Sequence, residues 1–195
     1  MAEAISCVRG ERILFRDLTF TLGRGQAGLL TGPNGVGKSS LLRLLAGLLQ
    51  PSAGSYIAPE TKALCDDRLA LDEHLSLGQT LGFWAKLDGK RPADVAAAMK
   101  RAGLGHLAEV PVRYFSTGQR QRARLARTYL TDARLWLLDE PANGLDTDSV
   151  DQLGRALQSH LDGGGIILAA SHIPLPIAFD LTLKLEPLEE LEACL

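Results

Sequence analysis

The segment Gly32-Pro33-Asn34-Gly35-Val36-Gly37-Lys38-Ser39 has the spacing GxxxxGK[ST], a loop whose backbone N–H groups close around the oxygens of a phosphate chain. The helix that should follow turns its positive end towards the same charge. In such a loop Lys38 reaches the β and γ phosphates, and the Ser39 hydroxyl is a ligand for Mg2+; Ser40, next along, joins the nucleotide-binding set. A second group of reactive side chains ends Leu135-Trp136-Leu137-Leu138-Asp139-Glu140, an apolar run closing on two carboxylates. Beside a phosphate loop, Asp139 holds Mg2+ directly or through water. Glu140 then polarises a water for in-line attack on the terminal phosphate, a general-base role worth roughly 10²–10⁴-fold in rate. A third piece, Phe115-Ser116-Thr117-Gly118-Gln119, opens a helix whose N-terminus is suited to another anion. One chain does not easily wrap both loops around one phosphate tail, because a helical stretch separates them. Two copies facing head to tail do. Each nucleotide then lies between the phosphate loop of one copy and Ser116, Thr117, Gly118 and Gln119 of the other, and the expectation is a homodimer glued by nucleotide.

The elements that must carry these groups alternate. CVRGERILFRDLTFTLGRGQ reads as two short strands and a hairpin-like return, and AGLLTG as a short buried strand before the glycine-rich turn. SSLLRLLAGLL has the periodicity of a helix with one apolar face. From about Leu71 to Leu130 the patterns HLSLGQTLGFWAKLDG, ADVAAAMKRAGL and GQRQRARLARTYL are helical, with few strand signals. LWLLDE and IILAASH read as buried strands around an amphipathic helix, SVDQLGRALQSHLDGGG. Strands and helices alternating around a helical insertion predict an α/β fold with a parallel core and a helical lobe.

Composition narrows the possibilities. The chain of 195 residues suits one domain, and 46% apolar residues suffice for a real core. A net charge of −2 gives no bulk attraction to nucleic acid or an anionic membrane surface. Arg120, Arg122, Arg124 and Arg127 form a basic helix face without interleaved aromatics, which reads as a solvated face or as contacts to lobe carboxylates, not as a nucleic-acid site. Cys7, Cys65 and Cys194 form no CxxC pair, which suits a reducing compartment. His74, His106 and His160 lack metal-ligand spacing. Phe83 and Trp84 read as lobe core. The N-terminal residues do not pattern as a signal peptide, and LLRLLAGLL and IILAASHIPLPIAF are too short and too interrupted for a spanning helix. A guanine reader Asn-Lys-x-Asp is missing, since Asn34 and Asn143 are both followed by Gly. The expected chain is soluble, and any membrane part belongs to another subunit.

The order of phosphate loop, FSTGQ, LWLLDEP, GLD and a late Ser171-His172 resembles the ATP-binding cassette (ABC) ATPases over nearly the whole chain. FSTGQ is similar to that family's LSGGQ signature, with Phe115 for Leu and Thr117 for Gly. The resemblance implies a P-loop NTPase fold: a RecA-like core at about 1–66 and 131–185, N-terminal antiparallel strands, and a helical signature subdomain at about 67–130. It implies ATP and Mg2+ as ligands and membrane-spanning subunits as partners. It places Asp146 in the loop that communicates across the dimer and His172 on the γ-phosphate. Two family positions are altered. Arg9 stands where an aromatic residue usually stacks on adenine, and a guanidinium plane over the ring is worth about 0.5–2 kcal/mol. Asp67 stands where a Gln usually joins Mg2+ to the helical lobe; Gln79 falls at the start of the next helix. Asp67 is a further Mg2+ candidate, or it belongs with Asp66 and Arg68 to a solvated turn.

A narrower likeness, carried by CVRGERILFRDLTFTL and VPVRYFSTGQRQRARLAR, is to ATPase subunits of cytochrome c maturation systems. It implies a peripheral protein at the cytoplasmic face of the inner membrane, with a haem chaperone as an indirect partner. The alternatives are the ATPase of another ABC exporter, or a non-transport ABC ATPase; the latter usually joins two cassettes in one chain or carries a long coiled coil, and neither pattern is present here.

Overall fold

The computed structural model describes residues 1–67 and 70–188; Arg68 and Cys194 lie outside the described residues. Strands β1 (Ala2–Arg9) and β2 (Arg12–Phe20) pair antiparallel across a tight turn, and β4 (Ala53–Tyr56) adds to the other edge of β1. The hairpin-like return predicted from the sequence is therefore two strands of 8 and 9 residues with several register shifts. A second sheet has the order β5-β6-β7-β3-β8. Its members are β3 (Ala27–Thr31), β5 (Lys62–Cys65), β6 (Leu135–Asp139), β7 (Ile166–Ala170) and β8 (Leu181–Lys184), and every pairing among them is parallel. The apolar runs of β6 and β7 are covered on both faces, as an interior parallel sheet requires.

Helix α1 (Lys38–Leu45) lies between the two sheets. Its Leu41, Leu42, Leu44 and Leu45 pack with Ile5, Cys7 and Phe15 on one side and Leu30, Leu137 and Leu168 on the other. Helix α5 (Thr147–Asp162) covers the opposite face of the parallel sheet through Leu153, Leu157 and Leu161. Helices α2 (Leu77–Leu87), α3 (Pro92–Arg101) and α4 (Thr117–Tyr129) gather around a cluster of their own that includes Leu77, Leu81, Met99, Leu104 and Ala126. Each has a start signal: Ser76 and Ser116 cap α2 and α4 with reciprocal bonds to Gln79 and Gln119, and Pro92 opens α3.

The expected lobe core is corrected at one residue. Phe83 is 56% exposed, whereas Trp84 is half-buried against the helical cluster and donates its indole N–H to the Ala70 carbonyl at 2.6 Å. On a helix, adjacent positions point about 100° apart, so only one of the pair faces inward. Cys7 and Cys65 are buried free thiols, and burial pushes the Cys65 thiol up to about 12. Among the described residues, no helix is long and apolar enough to cross a membrane.

Candidate functional site

The phosphate loop joins the end of β3 to the start of α1. At Gly32 the backbone takes φ 133°, and a Cβ there would come within 2.2 Å of the Leu185 carbonyl oxygen, so the chain can pass β8 only as glycine. Gly37, at φ 115°, is the residue before α1. Lys38 is 7% exposed; its Nζ donates to the carbonyl oxygens of Gly32 at 2.6 Å and Pro33 at 3.1 Å. The loop thus holds the ammonium among its own carbonyls.

A cleft of about 330 Å³ opens over this loop, lined by Asn34, Gly35, Gly37, Lys38, Ser39, Ser40, Asp139, Glu140, Arg9, Leu14 and Arg43. The end of β1 therefore brings Arg9 to the same cleft as the phosphate loop. Pro33 and Val36 shape the loop without lining the cleft; Val36 is buried in the core between the sheets. No residue of Ser116–Gln119 lines this cleft.

Parallel pairing of β6 and β7 sets Asp139 opposite Ala170, and that register brings three loops together. Ser39 and Asp139 line the same cleft. Burial pushes the Asp139 pKa above the ordinary carboxylate range; the nearby Ser39 hydroxyl opposes this, and the neighbouring Glu140 charge reinforces it. Glu140 takes φ 50°, a left-handed conformation that a non-glycine side chain adopts only when its surroundings hold it. They do so from three directions. Its N–H donates to the Ala170 carbonyl at 2.8 Å, its carbonyl accepts from Asn143 N–H at 3.1 Å, and its carboxylate accepts from the His172 backbone N–H at 3.1 Å. The His172 Nε2 lies 3.4 Å from Glu140 Oε1, 2.8 Å from Asn34 Oδ1 and 3.3 Å from Lys38 Nζ. His172 thus links the phosphate loop to the acidic strand end.

Asp67 sits on an adjoining cleft of about 360 Å³ with Ser39, Arg43, Asp139, Glu140, Thr117, Gln121 and Arg124. Its carboxylate is 83% exposed and accepts from Arg43 Nη2 at 3.1 Å, while Arg43 also bonds Asp66 at 3.0 Å. Asp66 and Asp67 therefore share a guanidinium that itself lines the cleft over the phosphate loop.

Ser116 and Gln119 are held in the cap of α4, with Ser116 Oγ accepting from Gln119 N–H at 3.2 Å. A Cβ on Gly118 would stand 2.8 Å from the Gly144 carbonyl oxygen, so the start of α4 touches the loop that leads to Asp146. Asp146 caps α5 and accepts from Ser149 N–H at 2.8 Å; hydrogen bonding from Ser149 holds its carboxyl below the ordinary range.

Sequence reasoning missed Gln121. It is 4% exposed, and its Nε2 donates to the carbonyls of Pro141 at 3.1 Å and Glu140 at 3.4 Å, fixing the turn that carries Glu140. A polar residue at an inward position of α4 was the available signal. The basic face resolves residue by residue. Arg120 pairs with Glu73, and Arg127 pairs with Asp88 and lies 4.5 Å over the Trp84 ring. Arg122 approaches the Gly103 carbonyl. Arg124 points to the cleft, where it donates to Gln121 Oε1 at 2.8 Å. The helix face is committed to the protein itself.

Residues 15–143 match the model of a family described as ABC transporter. The chain is 51% identical over 93% of its length to the cytochrome c biogenesis ATP-binding export protein CcmA of Zymomonas mobilis, of which it covers 82%. It is 46% identical over 90% of its length to the protein of that name from Sphingopyxis alaskensis, again covering 90%. In fold it is similar to an ABC transporter ATP-binding protein structure from Pyrococcus furiosus, with a TM-score of 0.81 over 94% of this chain and 96% of that one at 23% identity.

Proposed function

The chain belongs to the ABC transporter family and is an ATPase of that family; on that premise we propose that it powers an export complex for cytochrome c biogenesis. The observation that carries the catalytic part is the convergence of Lys38, Ser39, Asp139 and Glu140 on one cleft, with His172 set against both Lys38 and Glu140 from a third loop. The biogenesis role rests on the names of the relatives.

In this reading ATP lies along the phosphate loop, with the N–H groups of 32–39 and Lys38 on its phosphates and Arg9 against adenine. The oxygen donors fit Mg2+. Ser39 and Asp139 line the same cleft, Asp67 lines the adjoining one with them, and Mg2+ takes one or two protein ligands beside phosphate oxygens and water. When bound, Mg2+ neutralises charge developing on the phosphates. Glu140 accepts the proton of the attacking water. Its left-handed backbone and the His172 N–H aim the carboxylate, and the imidazole of His172 stays within reach of Asn34 and the terminal phosphate.

Ser116, Thr117, Gly118 and Gln119 act in trans on the ATP of a second copy, and Asp146 relays between the two sites. The core comprises about 1–66 and 131–185 and the helical subdomain about 67–130, a division supported by the separate apolar cluster of α2, α3 and α4. The protein works peripherally at the cytoplasmic face of the inner membrane, beneath membrane-spanning subunits, with a haem chaperone as an indirect partner.

The test is affinity purification of the Glu140→Gln protein from native membranes in Mg-ATP, followed by mass spectrometry and a haem absorbance scan. Small membrane subunits accompanied by a haem-carrying chaperone are expected. An unrelated permease would transfer the ATPase to another exporter, and recovery without any membrane subunit would favour a non-transport role.

A further inference from the structure

Glu140 heads a turn that helix α4 holds from outside. Its backbone is left-handed at φ 50°, a conformation that persists only where neighbours enforce it. Residue 141 is proline and has no N–H to donate. The turn closes on itself through the Asn143 N–H, which donates to the Glu140 carbonyl at 3.1 Å. From α4, Gln121 Nε2 donates to the Pro141 carbonyl at 3.1 Å and to the Glu140 carbonyl at 3.4 Å. Among the described residues, Gln121 is the donor that the Pro141 carbonyl has.

A glutamine amide can present either end, and the wrong end would set oxygen against oxygen. Arg124, three positions further along α4 on the same face, decides which. Its Nη1 donates to Gln121 Oε1 at 2.8 Å. A guanidinium only donates and a backbone carbonyl only accepts, so Oε1 must face Arg124 and Nε2 must face the turn. Gln121 is 4% exposed, which leaves water little room to replace either bond. Arg124 is half-buried, and its Nε is enclosed without an acceptor among the described residues. An unmatched buried donor is unfavourable, and none of the ion pairs among the described residues includes Arg124 to offset it. What the site gains from this arginine is the ordered amide.

We propose that Arg124 is a positioning residue for ATP hydrolysis: by fixing the Gln121 amide it holds the turn 140–143 in the bend that aims the Glu140 carboxylate. The inference rests on the reading of Glu140 as the general base. Arg124 acts through Gln121 and touches no reacting atom. Without the guanidinium the amide is free to turn over, the Pro141 carbonyl loses its donor part of the time, and the left-handed bend is less firmly enforced. Such a site still binds nucleotide, but its base is less often in line with the attacking water.

The experiment measures steady-state ATP hydrolysis by the full-length chain, with Mg-ADP affinity by calorimetry as the check that each variant is folded. Arg124→Met keeps the length of the side chain and removes its donors. Its kcat is expected to fall by about tenfold to a hundredfold, while KM and Mg-ADP affinity stay within about twofold of the parent. Arg124→Lys, which keeps a donor, should recover most of the lost rate. Gln121→Leu should reproduce the loss, and Arg124→Met added to it should lower kcat little further, because both act through one contact. A parental kcat in Arg124→Met, no recovery in Arg124→Lys, a fully additive double variant, or a loss of Mg-ADP binding in step with kcat overturns the proposal. Glu140→Gln is run alongside. A parental rate there removes the general-base reading itself, whereas its inactivity beside an unaffected Arg124→Met removes only the role of Arg124.

Discussion

His172 shows how much a single residue gains from its surroundings. In the sequence it is a histidine after an apolar run; in the fold it touches Asn34, Lys38 and Glu140 at once. Its place at a strand end was legible, but the partners were not, because only the β6–β7 register puts Glu140 beside it. Arg9 is the opposite case: the sequence suggested its position, and the cleft receives it. Arg9→Ala is expected to weaken ATP by about 0.5–2 kcal/mol while leaving inorganic triphosphate unchanged, as calorimetry of both ligands would reveal. His160 governs a pH response. Burial holds its imidazole below the ordinary value, so the unfolded chain takes up a proton that the folded chain refuses. Stability is full above the unfolded histidine pKa of about 6.5 and declines as pH falls below it. Arg101 and the Arg134 carbonyl face the same ring. His160→Phe should therefore narrow the gap in melting temperature between neutral and mildly acidic buffer; an unchanged gap would assign the acid sensitivity elsewhere.

Among elements, those with long periodic or continuous apolar patterns were readable: α1, α4, α5, β6 and β7 follow their sequence signals closely. Three short strands were not. AGSY of β4 is nearly all exposed and holds a glycine at φ 77°, which no strand pattern announces. KALC of β5 and LTLK of β8 span four residues each and become strands only through neighbours already in place. Helix α4 carries two duties at one residue, since Ser116 both caps it and is proposed to meet phosphate in a second copy. These separate by substitution. Ser116→Ala should lower stability by about 0.5–2 kcal/mol in urea unfolding. Ser116→Asp keeps the cap and the stability, yet places a negative charge where phosphate must come, and should lose nucleotide-driven association.

At the scale of the whole molecule, none of Ser116–Gln119 lines the cleft over the phosphate loop, and Thr117 reaches only the adjoining one, which suits the proposal that this segment acts on the nucleotide of a second copy. Glu140→Gln, able to bind ATP but slow to hydrolyse it, is expected to sediment as a dimer with Mg-ATP and as a monomer with Mg-ADP. Monomers in both would remove the trans arrangement. The sequence suggested this pairing from the distance between two loops, whereas the packing of α4 against the turn after β6 required the structure. That packing also sorts neighbouring positions by how freely they can vary. Thr117 stands at the surface, where the fold itself leaves room for a side chain. Position 118 is closed to every side chain, since even a methyl group would meet the Gly144 carbonyl. Of two adjacent codons, the fold leaves one a choice of side chain and the other none.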